Sequence, residues 1–80
     1  MNTYILEKLK TIIKETIDLD INENNLYTNI HDLDIDSLDF LKVVISIEDS
    51  LNITLDESLI YDIKNLDELI SIIDKQIVKN

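Results

Sequence analysis

The side chains in this sequence that could do chemistry are gathered in one stretch, Asp32-Leu33-Asp34-Ile35-Asp36-Ser37-Leu38-Asp39. Three chemistries suit these residue types: nucleophilic attack by the serine, cation binding by the alternating aspartates, and attachment of a phosphate-linked group to the hydroxyl. Nucleophilic hydrolysis needs a base beside the serine, an acid that orients the base, and an oxyanion hole. His31 is the only histidine, and a chain without glycine has no nucleophile elbow. His31 reads instead as a surface loop residue that at most tunes stability with pH. The aspartates have the alternation of a calcium loop, but the pattern then fails. The position that needs glycine is Ser37, and the position of the bidentate glutamate is Val43. The third chemistry fits the local pattern. Asp36 can cap a helix that begins at Ser37, which puts the hydroxyl near free N–H groups and the positive end of the helix dipole. A phosphodiester there gains from both.

The elements that must position this serine follow from the spacing of apolar residues. From Tyr4 to Ile17 they recur at Ile5, Leu6, Leu9, Ile12, Ile13 and Ile17, one face of a helix whose other face carries Glu7, Lys8, Lys10, Lys14 and Glu15. Between Asp18 and Asp36 the periodicity breaks down. Asn22, Asn24, Asn25 and Asn29 are turn formers, while Leu19, Ile21, Leu26, Ile30, Leu33 and Ile35 come at irregular intervals. The spacing predicts a long loop pinned to the core by those anchors, and a loop of that length is usually functional or disordered. A second helix runs from Ser37 to about Leu51, with Asp39 in its first turn. Thr54 and Glu57 have capping-box spacing and open a short third helix near Glu57 to Asp62. Asn65 and Glu68 repeat that spacing before a fourth helix with the stripe Leu66, Leu69, Ile70, Ile73 and Ile77.

The second helix has two apolar faces. At about 100° per residue, Phe40, Val43, Val44, Ile47 and Leu51 form a core stripe. Leu38, Leu41 and Ile45 form another, centred roughly 135° away. Asp39, Lys42, Ser46, Glu48 and Asp49 fill the remaining angles. Either the long loop or the third helix covers the second stripe, or it is an exposed docking strip edged by charge.

Composition narrows the field. Eighty residues, 45% hydrophobic, make one small core, so residues 1–80 are expected to form a single domain. The chain has no cysteine, so any thiol its function needs comes from a cofactor. The absence of glycine and proline argues against tight hairpins and for an all-α fold, a small bundle of three main helices plus one short helix. Seventeen acidic residues against seven basic ones give a net charge of -10. That excludes nucleic acid as a partner class, since phosphate binding draws on clustered Lys and Arg, and it either steers basic partners or serves solubility. No apolar run reaches membrane-spanning length, and no leader-like segment opens the chain. A monomer in the cytoplasm, without membrane insertion, is the expectation.

The run Leu33-Asp34-Ile35-Asp36-Ser37-Leu38-Asp39 resembles the leucine-glycine-x-aspartate-serine-leucine-aspartate signature of acyl carrier proteins. Val43 to Asp49 and Leu51-Asn52-Ile53 are similar to the family's second helix and its exit. Asp56-Glu57, Ile63 and Leu66-Asp67-Glu68-Leu69-Ile70 fall in the same register, so the resemblance covers roughly Tyr4 to Ile77. It implies that Ser37 attacks coenzyme A on a phosphopantetheinyl transferase with Mg²⁺ and keeps a covalent 4'-phosphopantetheine arm. That arm would carry acyl or aminoacyl groups as thioesters, while the chain itself catalyses nothing. Asp36, Leu38 and Asp39 would help the transferase recognise the site. With Leu41, Lys42, Ile45 and Glu48 they would face partners: the transferase, an acyl- or aminoacyl-loading ligase and downstream biosynthetic enzymes.

Three residues depart from the family pattern. Asp34 stands where the family has glycine, which adds charge beside the serine. Asp56 stands where proline is common. Lys42 stands where fatty-acid carriers have a glutamate that pairs with basic partners. A reversed charge there either penalises those partners, which points to a specialised pathway, or is a neutral surface change. The cargo is left open among fatty acyl, aminoacyl, aryl and polyketide groups, with the aspartate before Ser37 leaning toward an acyl rather than a peptidyl carrier. A peptidyl or aryl carrier, an acidic helical adaptor that is never modified, and a calcium sensor are the rival functions.

Overall fold

In the computed structural model, residues 3–79 are described; residues 1, 2 and 80 of the expected 1–80 domain lie outside that range. Helix α1 spans Thr3–Ile17, α2 Ser37–Leu51, α3 Glu57–Ile60 and α4 Leu66–Lys79, and no strand occurs among the described residues. The all-α expectation, three main helices and one short, is met. No helix in this range is long and apolar enough to cross a membrane.

The predicted stripes meet in one core. Ile5, Leu6, Leu9, Ile12 and Ile13 of α1 pack with Val43, Val44 and Ile47 of α2 and with Leu66, Leu69, Ile70 and Ile73 of α4. Helix α1 lies against both α2 and α4, while α3 touches α4. Phe40 and Leu51, expected in the core stripe of α2, pack against its edge and stay half-buried.

The long connection from Asp18 to Asp36 is more ordered than its sequence predicts. It holds two 3₁₀ turns, η1 over Glu23–Tyr27 and η2 over Ile30–Leu33. The asparagines make them. The Asn22 side chain accepts the N–H groups of Asn24 and Asn25, and the Asn25 side chain accepts the Asn22 N–H in return. Asn29 accepts from the His31 N–H at 2.9 Å. A 3₁₀ turn of four or five residues is too short to leave a readable apolar period, so only its caps are visible in the sequence. Three anchors, Ile21, Leu26 and Ile35, are buried, and η1 rests on α4 through the fully buried Leu26. The Ile30 N–H donates to the Lys64 carbonyl at 2.9 Å, which ties η2 to the link between α3 and α4.

Two caps differ from expectation. Asp56, not Thr54, caps α3: its Oδ1 accepts the Ser58 N–H at 2.9 Å and the Ser58 hydroxyl at 2.7 Å. The helix begins at Glu57 itself, so Glu57 is its first residue and stands too early to close a capping box with Thr54. It ends at Ile60, and a turn carries the chain through Asp62. At α4, Asn65 accepts the Glu68 N–H at 2.9 Å as expected, but the Glu68 carboxylate takes the Lys64 N–H at 2.6 Å instead of that of Asn65.

A chain without glycine must fill its left-handed positions with other residues. Asp18 (φ 55°), Asp34 (φ 59°) and Asn52 (φ 54°) do so at the ends of α1, η2 and α2. Asp and Asn enter this region at lower cost than other side chains. The position where the family signature has glycine is thus a left-handed turn, and Asp34 meets the same demand with a Cβ in place. We expect Asp34→Gly to leave stability unchanged or raise it slightly, because removal of the Cβ strain offsets the added freedom of the unfolded chain. Asp34→Ala should cost about 1 kcal/mol. Thermal unfolding checks both; equal losses would show that the carboxylate, not the backbone conformation, matters at this position.

Candidate functional site

Ser37 is the first residue of α2 and is exposed. Asp36 precedes it in extended conformation, and its Oδ1 accepts the Asp39 N–H at 2.7 Å, while its carbonyl takes the Phe40 N–H at 2.9 Å. These two bonds fix the residue at which the helix starts. The Ser37 hydroxyl makes no hydrogen bond among the described residues, so nothing there activates it as a hydrolytic nucleophile. His31 is exposed, as expected of a loop residue, yet it lines the same groove as Ser37. Among the described residues, no group of three or more His, Cys, Asp or Glu is placed to hold a metal ion.

Two grooves meet at the serine. The first, about 480 Å³, runs between α2 and α3. Leu38, Leu41, Val44 and Ile45 form its α2 wall, and Leu55, Ile60 and Tyr61 stand opposite. Leu38, Leu41 and Ile45 are 61%, 44% and 50% exposed. Both sequence alternatives for this stripe are therefore realised in part: α3 faces it, and most of it stays open. The second groove, about 370 Å³, lies between η2, the start of α2 and the segment after α3. Phe40, Ile60 and Tyr61 line both grooves and form the ridge that separates them.

The charged residues named in the sequence have different situations. Asp39 is half-buried, and Lys42 is exposed and is the only cation on α2. Glu48 is half-buried, and its Oε2 accepts the Leu55 N–H at 2.9 Å. It staples the end of α2 to the segment that leads into α3, a task its position on the helix wheel did not reveal. Sequence reasoning also missed Tyr61 and Ile60 as groove walls. Their apolar character was visible, but no local period pointed them at α2.

The profile for the phosphopantetheine attachment site matches residues 7–73, which include Ser37 and the whole of α2. The chain belongs to the acyl carrier protein family. An acyl carrier protein homolog of Mycoplasma genitalium is 35% identical over 72 residues, covering 88% of this chain and 86% of the relative. The acyl carrier protein of Streptococcus pneumoniae is 33% identical over 72 residues, covering 90% and 95%. That of a Picosynechococcus species is 34% identical over 74 residues, covering 91% of each. No solved structure gives a significant match. Family members carry a covalent 4'-phosphopantetheine and act as carriers, not as catalysts.

The wall opposite α2 depends on the cap of α3. Hydrogen bonds from the Ser58 hydroxyl, then from its N–H, hold the Asp56 carboxyl below its ordinary pKa. A depressed carboxyl stabilises the fold above its unfolded pKa, and the contribution is lost as pH falls through the folded value. Asp56→Asn should therefore be less stable than the parent at neutral pH. The difference should shrink in acid below the ordinary carboxylate range, as measured by denaturant unfolding across pH. A difference that persists undiminished in acid would show that the charge on Asp56 contributes nothing.

Proposed function

We propose that Ser37 is the hydroxyl that bears the 4'-phosphopantetheine arm, and that the chain shuttles acyl intermediates between enzymes of a biosynthetic pathway. The observation that carries this reading is an exposed serine hydroxyl, without a hydrogen bond among the described residues, at the first residue of a capped helix within the span matched by the attachment-site profile. The residues around it fit the group. The free N–H groups of the first turn favour a phosphodiester, and open grooves on either side leave room for a flexible arm. When bound, the arm supplies the thiol that a cysteine-free chain lacks.

The remaining roles fall to α2. Asp36 sets the register of the site through its bond to Asp39. Leu38, Leu41 and Ile45 offer an apolar strip for the transferase, a loading ligase and downstream enzymes, with Asp39 and Lys42 on its rim. Desolvating such a strip contributes affinity, and the rim charges select partners. Glu48 acts on partners indirectly, because its carboxylate holds Leu55 in the opposite wall. Lys42, the only cation on this helix, favours enzymes that present a carboxylate opposite it, and thus a specialised pathway over bulk fatty-acid synthesis.

Purified protein incubated with coenzyme A, Mg²⁺ and a broad-specificity phosphopantetheinyl transferase should gain the mass of one phosphopantetheine. Ser37→Ala should gain nothing. If folded wild-type protein stays unmodified with several transferases, the carrier reading fails and an unmodified acidic adaptor is the better account.

A further inference from the structure

The two grooves that meet at Ser37 differ in charge. The groove between α2 and α3 has two carboxylates, Glu48 and Glu57, in its lining and no cation. The groove bounded by η2 has Lys64 and His31 in its lining and a single carboxylate, Asp36. In a chain of net charge -10 with seven basic residues, a lining whose lysine balances its single carboxylate stands out from the prevailing negative field.

The fold brings the pair together by a specific contact. The Ile30 N–H bonds the Lys64 carbonyl at 2.9 Å, which sets His31 and Lys64 on neighbouring backbone across the end of the groove. The Lys64 side chain is exposed and makes no ion pair among the described residues, so its ammonium is free to meet an incoming anion. Below these groups the lining is apolar, with Ile35, Phe40, Ile60 and Ile63. The volume, about 370 Å³, lies within the roughly 300–1,000 Å³ of small-molecule sites.

We propose that the unloaded phosphopantetheine arm rests in this second groove, with Lys64 and His31 beside its phosphodiester and its geminal methyl groups over Phe40 and Ile63. The inference rests on attachment at Ser37. A phosphodiester is anionic, so two carboxylates in the lining repel it from one groove while a lysine attracts it to the other. The arm also has a hydroxyl and two amides, which favour a lining with Asn29, His31 and Lys64 over one that is almost wholly apolar. The apolar groove is thereby left open for an apolar cargo or a partner's side chain.

The test uses holo protein, with loading first verified by intact mass. In the holo form, NMR should show cross-peaks from the arm's methyl groups to Ile63 and Phe40, and shift changes from the apo form at Ile30, His31 and Lys64. Lys64→Gln, an exposed change that leaves the core intact, should weaken those cross-peaks, whereas Leu41→Ala in the other groove should not. Cross-peaks to Leu41, Ile45 and Leu55 instead, or an arm with no contact to either groove, would overturn the proposal while the carrier function stands. Failure of the wild-type protein to load would overturn the attachment at Ser37 and the proposal with it.

Discussion

The bond from the Asp39 N–H to the Asp36 carboxylate, 2.7 Å long, decides where α2 begins, and the site depends on that choice. A helix leaves its first N–H groups without internal partners, and a cap satisfies one of them at a defined residue. With Asp36 as cap, Ser37 is the first helical residue and its hydroxyl points away from the core. A start one residue later would take Ser37 out of the helix and leave an N–H of the first turn without its cap. The facing of the helix is fixed separately, by Val43, Val44 and Ile47 in the core. The cap thus sets where the serine stands along the helix, and the core sets which way the helix faces.

The helix carries more apolar surface than the core uses. Leu38, Leu41 and Ile45 remain largely exposed, although burying each such side chain fully would be worth about 1.5–3 kcal/mol. In a domain this small that is a large fraction of net stability. An exposed strip of this kind is the surface a partner desolvates, so it fits a protein whose work is to be handled by enzymes in turn. The opposite wall is held by polar contacts, not by packing alone. Glu48 fixes Leu55, and Asp56 caps the four-residue α3. So short a helix has little intrinsic stability, and these contacts compensate for it.

Charge and backbone conformation are linked by the absence of glycine. Asp18 and Asp34 occupy left-handed positions where glycine would be neutral, which adds negative charge at the end of α1 and beside the serine. At Asp18 the charge is used: Lys14 Nζ pairs with Asp18 at 3.0 Å and Asp20 at 3.3 Å, clamping the start of the long connection. Those hydrogen bonds, led by the one to Asp18, raise the Lys14 pKa. At Asp34 the charge lies three residues before Ser37, at the left-handed end of η2.

The long helices, the Asp36 cap and the candidate attachment serine were legible in the sequence, because each is specified by residues within a turn or two of one another. Apolar periodicity marks α1, α2 and α4, and the pattern from Leu33 to Asp39 carries the family signature. The loop anchors Ile21, Leu26 and Ile35 could be named, but not the 3₁₀ turns that deliver them, which are shorter than any readable period. Thr54 looked like a cap because spacing alone cannot say at which residue a four-residue helix starts; that was decided by where Leu55 and Ile60 bury. The side-chain bond from Glu48 to Leu55 depends on the turn after α2. That His31 and Lys64 line one groove depends on η2 docking against the link between α3 and α4. Contacts between residues far apart in the chain leave no local pattern. Where the serine stands was therefore written in the sequence, and which surfaces surround it was decided by the tertiary structure.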